Sequence, residues 1–149
     1  MRFKCVWSKF VTSVSAFTFA LLAFALYGLG SGGHTVVFSL VSITMLVCLA
    51  YSPIYVEVTE DCLTIKRVFG SVIILRKDIE LIRPYTSPLG IRKFGSGGFL
   101  GFLGWFSNSE LGNFLSYSTD EKSQILIVTK QRKYLISCEN REEFLRKFL

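Results

Sequence analysis

Hydrophobic and polar positions divide the chain into two parts that meet near Pro53. Residues 10–54 contain no Asp, Glu, Lys or Arg, whereas every acidic residue lies from Tyr55 onward. Two apolar runs, over residues 10–29 and 36–54, flank a short segment rich in Gly and Ser. The first run has 20 residues and the second has 19, which is enough for each to cross a bilayer as an α-helix. The pattern predicts a transmembrane helical hairpin in residues 1–54 and a separate domain in residues 55–149.

The basic residues at the N-terminus predict how such a hairpin would be oriented. Arg2, Lys4 and Lys9 precede the first apolar run, and the segment between the two runs contains no Lys or Arg. Because positive residues favour the cytoplasmic side, both termini are expected in the cytoplasm and the lipid bilayer is an expected partner. A cleaved signal peptide is the alternative, since Ala23-Phe24-Ala25 resembles a cleavage site, but the apolar run is longer than usual for one.

The second part of the chain alternates between apolar and polar residues, which is typical of half-buried β-strands. Short segments of this kind, separated by turn residues, predict about seven antiparallel strands. The predicted strands cover residues 56–58, 63–65, 72–75, 79–85, 114–118, 124–129 and 133–137. The last ten residues predict an amphipathic helix with Asn140 as N-cap and Phe144, Leu145 and Phe148 on one face.

Seven strands followed by one C-terminal helix is the order of a PH-like barrel that the helix closes. The turn Arg76-Lys77-Asp78, the stretch GSGGFLGFLGWFSNSELGNFLSYST, the strand pair ILIVTKQRKYLIS and the terminal ENREEFLRKFL resemble the bacterial PH domain proteins. These are small membrane proteins with a helix pair ahead of a PH-like domain. The resemblance covers residues 54–149. It implies a PH-like fold, a location in the bacterial cytoplasmic (inner) membrane and a role in oligomerisation or membrane-protein assembly.

The residue types argue against catalysis. The sole histidine, His34, lies in the segment expected on the far side of the membrane, and neither the carboxylates nor the four cysteines are spaced like metal ligands. No enzyme activity, cofactor, metal site or small-molecule substrate is therefore predicted. The formal charge of +6 raises the possibility of nucleic acid binding. Because three membrane-flanking residues supply half of that charge, no nucleic acid partner is expected.

The glycine-aromatic stretch Gly95–Gly104 is the most unusual part of the sequence. Its Gly-x-Gly spacing resembles a phosphate-binding loop, but no GK[ST] follows it. The glycines could allow tight bends between packed aromatic residues. Alternatively, the stretch could form an apolar loop tip that contacts a membrane or a partner. The sequence leaves both interpretations open.

These patterns favour a non-enzymatic, membrane-anchored PH-like module that binds or assembles with itself or with another membrane protein. The alternative function is a sensor of anionic lipid surfaces that uses basic residues and the glycine-aromatic stretch. The candidate contact residues for a partner or lipid are basic or aromatic: Arg92, Lys93, Phe99, Phe102, Trp105, Lys130, Arg132 and Lys133.

Overall fold

The computed structural model describes residues 1–28 and 35–148. In these ranges three α-helices occur: α1 (Lys9–Gly28), α2 (Thr35–Tyr51) and α3 (Arg141–Arg146). Most of the predicted segment between the two apolar runs, including His34, lies outside the described residues. The remaining structure consists mainly of two β-sheets.

The smaller sheet has four antiparallel strands in chain order. They are β1 (Arg2–Lys4), β2 (Pro53–Val58), β3 (Cys62–Arg67) and β4 (Ser71–Leu75). Strand β1 pairs Phe3 with Val56, so residues before the first helix belong to the same sheet as residues after the second. The tight turn after β3 has Gly70 at a φ of 78°, where glycine avoids the steric cost of a side chain.

The larger sheet has six strands in the order β5-β9-β10-β8-β7-β6. Their bounds are β5 (Ile79–Pro84), β6 (Ile91–Gly97), β7 (Phe102–Asn108), β8 (Gly112–Ser118), β9 (Gln124–Thr129) and β10 (Lys133–Ser137). All pairs are antiparallel except β8 and β10, which run parallel. The sheet is therefore mixed.

Alternating side chains of the larger sheet enter two separate cores. Ile125, Ile127 and Ile136 pack with the four-stranded sheet and with Phe144 of α3. Leu126 and Leu135 point to the opposite face, where the buried cluster includes Val11 of α1. Because neighbouring residues of a strand face opposite sides, the consecutive apolar residues in the middle of β9 and β10 contribute to both cores.

The structure confirms the strands that alternation predicted. Strands β2 to β5 and β8 to β10 lie within a few residues of their predicted positions. The terminal helix is also confirmed, over Arg141–Arg146, and Phe144 on its predicted apolar face is fully buried. Asn140 precedes it with a left-handed φ of 57°, but its side chain makes no capping hydrogen bond.

The predicted closed barrel of about seven antiparallel strands is wrong. Ten strands are present in the described residues, they form two sheets, and the larger sheet ends at β5 and β6 without closing. Three strands were not predicted: β1, which precedes the first helix, and β6 and β7, which lie in the glycine-aromatic stretch. Helix α3 lies beside β5 and seals one core, so it does not close a barrel.

The predicted transmembrane hairpin is also wrong. Within residues 1–28 and 35–148, neither α1 nor α2 combines the length and the apolar character that a membrane span requires. Helix α2 has 17 residues, and α1 places its Ser15 and Val11 in contact with the β-structure. The predicted multi-pass inner-membrane location depended on these spans and is overturned with them.

Candidate functional site

The glycine-aromatic stretch forms the hairpin of β6 and β7 rather than a loop. Gly95 pairs directly with Gly104, at φ values of 120° and 118° that side chains rarely adopt. A Cβ on Gly104 would overlap the carbonyl oxygen of Phe94 and stand 2.9 Å from the Gly95 Cα. The two strands therefore approach each other closely only because both positions lack a side chain.

The turn of this hairpin is fixed by both long helices. The backbone N–H of Leu100 donates to the Ser15 hydroxyl of α1 at 2.9 Å. The Ser52 hydroxyl, just after α2, donates to the Leu100 carbonyl at 3.4 Å. Leu100 is fully buried although its φ is 58°. These contacts hold the hairpin where its outer strand forms the free edge of the larger sheet.

An apolar groove lies between the end of α2 and the face of β6, β7 and β8. Its volume is about 360 Å³. Val47, Cys48 and Tyr51 form the helix wall, and the sheet wall is made by Phe94, Leu103, Trp105, Leu115 and Tyr117. Gly95 and Gly104 lie between these side chains. Because this pair adds no side chains, it leaves room for the groove.

Arg67 lies against two of the groove's side chains, Tyr51 and Tyr117. Its guanidinium carbon is 4.8 Å from the centre of the Tyr51 ring and 5.8 Å from that of Tyr117. The backbone holds it there, because Val68 and Phe69 donate hydrogen bonds to the carbonyls of Ser52 and Ala50. These two bonds tie the β3–β4 turn to the end of α2.

Two side chains that line the groove have raised pKa values. Burial raises the pKa of the Cys48 thiol, and the positive charge of Arg92 partly opposes this. Burial also raises the pKa of Tyr117, against the effect of the Arg67 charge. The causes agree with a groove that is poorly hydrated and has cationic groups near it.

The outer strand β6 is unusually exposed for a strand with apolar residues. Each of its residues except Ser96 is exposed, and Ile91 and Phe94 are 76% and 77% exposed. Its register shifts between Arg92 and Phe94, which indicates a β-bulge. We refer to the outward side of Ile91–Gly97 as the β6 edge.

The candidate contact residues predicted from the sequence lie in different parts of the fold, including the β6 edge, the groove and the contact with α1. Arg92 and Lys93 lie on the β6 edge, and Trp105 faces the groove with the Arg132 guanidinium 6.0 Å from its ring centre. Phe99 and Phe102 contact Phe19 and Phe10 of α1, with ring centres 5.5 Å and 6.2 Å apart. Phe99, Phe102 and Trp105 therefore do not form one exposed tip.

The remaining candidates are the lysines of β10 and its preceding turn. Lys133 donates from Nζ to the carbonyl of Leu111 at 2.6 Å, so its ammonium group is engaged inside the fold. Lys130 is exposed, and its backbone N–H donates to the Asp78 carbonyl. Of the predicted basic residues, Arg92, Lys93 and Arg132 are therefore the ones near the β6 edge and the groove.

Comparison with known protein families gives one match. Residues 54–149 match the model of the bacterial PH domain, which is well over half of the chain. The chain belongs to the bacterial PH domain family. No curated protein and no solved structure shows significant similarity to it. Membership of this family indicates a lipid- or protein-binding module.

Sequence reasoning did not identify the groove residues Cys48 and Tyr51 or the nearby Arg67. Cys48 and Tyr51 fall in the second apolar run, and Arg67 is one of fourteen basic residues spread along the domain. The sequence did contain one signal for the hairpin that forms the sheet wall of the groove. Gly95 and Gly104 lie at equal distances along the chain from the turn at residues 98–101, and paired glycines can mark a close approach of two strands.

Proposed function

We propose that this protein is a non-enzymatic binding module that accepts an extended segment of a partner protein along the β6 edge. One observation carries the proposal: the outermost strand of the larger sheet presents Ile91 and Phe94 more than three-quarters exposed. An outermost strand also carries N–H and C=O groups that a further strand can pair with. Strand addition of this kind gives affinity through the backbone and specificity through alternate side chains.

The edge strands β5 and β4 are less suited than β6 to pairing with a strand of a partner protein. The opposite end of the larger sheet, β5, ends at Pro84, and proline cannot donate a ladder hydrogen bond. Strand β4 borders the smaller sheet and has exposed Ile73, but its five residues offer a shorter edge than the seven residues of β6. The bulge and the cations of β6 restrict pairing to a suitable partner, as edge strands commonly require.

Charge favours an acidic and apolar segment of another protein over a second copy of this chain. Arg92 and Lys93 lie in β6 itself, and Arg132 lies near Trp105 of the adjoining strand. Two β6 edges paired with each other would bring four cationic side chains into neighbouring positions, and opposed like charges destabilise a strand pair. Carboxylates on a partner strand would have the opposite effect.

We expect a photo-reactive benzoylphenylalanine at position 94 to crosslink the full-length protein in cells to one partner segment. The same residue at position 73 is the matched control, since Ile73 is also an exposed strand residue at an edge. Mass spectrometry should place the crosslink in a segment with alternating apolar residues and at least one carboxylate.

A synthetic peptide of that segment should then bind the purified protein in a direct affinity measurement. Lys93→Glu should weaken binding at least tenfold, because it replaces attraction by repulsion, while an Ile73→Glu variant should bind normally. Equal crosslinking from positions 73 and 94, or peptide binding that Lys93→Glu leaves unchanged, would rule out the β6 edge as the binding surface.

A second candidate function is peripheral contact with an anionic lipid surface. The observation that favours it is the exposed Phe94, an apolar side chain that directly follows the two cationic residues Arg92 and Lys93. Basic residues near an anionic membrane surface contribute about 1 kcal/mol each. An exposed aromatic residue can add apolar contact at the interface.

For this second function, we expect the full-length protein to sediment with phosphatidylglycerol vesicles and not with phosphatidylcholine vesicles. Raising salt from 0.05 M to 0.5 M should release it, because screening shortens the reach of exposed charges. Lys93→Glu should reduce sedimentation and Lys77→Glu, at the distant turn before β5, should not. Salt-resistant binding to both lipids would contradict recognition by charge.

A further inference from the structure

We propose that the β6 edge binds a two-sided partner segment, whose large apolar side chains enter the apolar groove and whose carboxylate enters a polar pocket on the other face of the β6–β7 hairpin. This inference rests on the proposed function, because it concerns the strand that would pair with β6. It adds the order of residues that such a segment must have. The observations that carry it are the two cavities and the bulge in β6.

The polar pocket is a cavity of about 720 Å³. Phe102 and Phe106 of β7 line it, and along that strand they alternate with Leu103 and Trp105, which line the groove. Because neighbouring residues of a strand face opposite sides, the pocket and the groove lie on opposite faces of the hairpin. The other residues that line the pocket include the polar side chains of Ser87, Arg92, Glu121 and Gln124.

The bulge in β6 gives each cavity one of two residues that would otherwise share a face. Arg92 pairs with Phe106 and Phe94 pairs with Trp105, and Lys93 between them has no partner in β7. In a regular strand, residues two positions apart point to the same side. The extra residue reverses this, so Arg92 lines the pocket and Phe94 lines the groove.

The Arg92 guanidinium is available to an anion on the pocket face. Arg92 is exposed, and its side chain extends along β6 to Gly97, where a Cβ would stand 3.1 Å from Nη1. In the part of the chain that the structure describes, Arg92 forms no ion pair, and this includes Glu121 of the same pocket. A carboxylate from a partner strand would therefore gain charge-assisted hydrogen bonds there.

The groove offers an apolar surface on the other face. Leu103 and Trp105 line it from the sheet and Val47 lines it from α2, and its described lining residues include no Asp, Glu, Lys or Arg. The Phe94 ring, which is 77% exposed, borders the groove at the β6 edge. A large apolar side chain on an added strand would remove this surface from water, which is favourable.

The two faces together fix the order of residues in the partner segment. Alternate residues of an added strand point to opposite faces, and pockets for alternate side chains give strand addition its specificity. A carboxylate at Arg92 and a large apolar residue in the groove must therefore be an odd number of positions apart. An even spacing would direct the carboxylate into the apolar groove, where burial of an unpaired charge is costly.

Two heptapeptides of identical composition test this order on the full-length protein. In acetyl-TLELTLT-amide the three leucines share one face and the glutamate lies on the other. In acetyl-TLLETLT-amide the third and fourth residues are exchanged, which places the glutamate on the leucine face. We expect the first peptide to bind at least tenfold more tightly in isothermal titration calorimetry. Equal affinities would overturn the two-sided specificity.

Val47→Trp tests the groove, and Leu46→Trp is its matched control. Val47 lines the groove, whereas Leu46, the preceding residue of α2, is 64% exposed and does not line it. Val47→Trp should weaken acetyl-TLELTLT-amide at least fivefold because the indole occupies the space for leucine. Leu46→Trp should leave the affinity unchanged. Equal affinities of the two variants would place the leucines outside the groove.

Arg92→Glu tests the pocket by charge reversal. It should weaken acetyl-TLELTLT-amide at least tenfold and should bind acetyl-TLKLTLT-amide more tightly, the opposite of the preference expected for the unchanged protein. Lys77→Glu makes the same charge change in the turn before β5 and should preserve that preference. Circular dichroism checks that each variant folds. A folded Arg92→Glu variant that still preferred the glutamate peptide would overturn the role of the pocket.

Glu121→Gln tests the same pocket without changing β6. Removing the carboxylate that lines the pocket should strengthen binding of acetyl-TLELTLT-amide, and an unchanged affinity would place the peptide's glutamate outside the pocket. This inference can fail while the proposed function survives. If position 94 crosslinks a partner in cells but the two orders of residues bind equally or not at all, only the two-sided specificity is overturned. If position 94 crosslinks no more than position 73, the proposed function itself is overturned.

Discussion

Gly104→Ala is expected to lower the free energy of unfolding by more than about 3 kcal/mol. A φ of 118° is strained for any residue with a side chain, at about 1–3 kcal/mol. The new Cβ would also overlap the Phe94 carbonyl and crowd the Gly95 Cα, and overpacking costs a further 1–3 kcal/mol or so. In urea or thermal unfolding monitored by circular dichroism, the melting temperature should fall by roughly 10 °C.

Gly112→Ala is the matched control for this prediction. Gly112 also has a positive φ, 67°, but a Cβ there would meet no atom within 4 Å. The substitution should therefore show only the backbone cost, about 1–2 kcal/mol. If both variants lost the same stability, the close approach of β6 and β7 would not be the reason for the glycine at position 104.

Phe144→Ala is expected to cost about 3–5 kcal/mol of unfolding free energy. Phe144 is fully buried, and its ring meets that of Phe3 edge-on at 5.3 Å between centres. The truncation would leave a cavity where α3 covers the core between the two sheets. Because Phe3 belongs to β1, the core joins the first residues of the chain to the last helix.

Phe69→Ala is the control, since Phe69 is 79% exposed and its loss should change stability by no more than about 0.5 kcal/mol. Phe3→Ala should be costly as well, and the double variant should show a coupling of about 0.5–1.5 kcal/mol between the two rings. A stable Phe3→Ala variant beside an unstable Phe144→Ala variant would mean that β1 is not part of this core.

Alternation identified the regular strands because burial on one face leaves a period of two in the residues. Val56 and Val58 are buried, and Glu57 between them forms an exposed ion pair with Arg2. In the terminal helix, the spacing of apolar residues at three and four positions predicted the buried side chain of Phe144 in the same way. Strand pairing was harder to predict, since the parallel contact of β10 with β8 joins segments that a meander would not place together.

The glycine-aromatic stretch escaped prediction because both faces of β7 carry apolar residues, so apolar and polar residues do not alternate along it. Phe102 and Phe106 face the core that contains Val11, whereas Trp105 faces the groove. The glycines between them have no side chain whose polarity could indicate whether the position is buried. Only the hydrogen-bonded register shows that Gly95 meets Gly104, and this contact decides whether the stretch is a loop or a hairpin.

The apolar N-terminal runs show the limit of hydropathy as a guide. Hydropathy measures how apolar a residue is, but it carries no information about which atoms the residue will contact. Val11 is fully buried against the larger sheet, and Ser15 accepts the hydrogen bond of Leu100 in the hairpin turn. These contacts made the first run a helix that packs on the domain through part of its length.

The residues by themselves determined that a PH-like succession of strands and a terminal helix follows Pro53, because local periodicity reflects which face of each element is buried. The tertiary structure alone decided that Arg67 meets Tyr51 and Tyr117, that Gly95 meets Gly104, and that an apolar groove lies between them. The reason is distance along the chain, because these five residues come from five separate elements. Their proximity depends on how the sheets and α2 pack, and a pattern within any one segment carries no information about that packing.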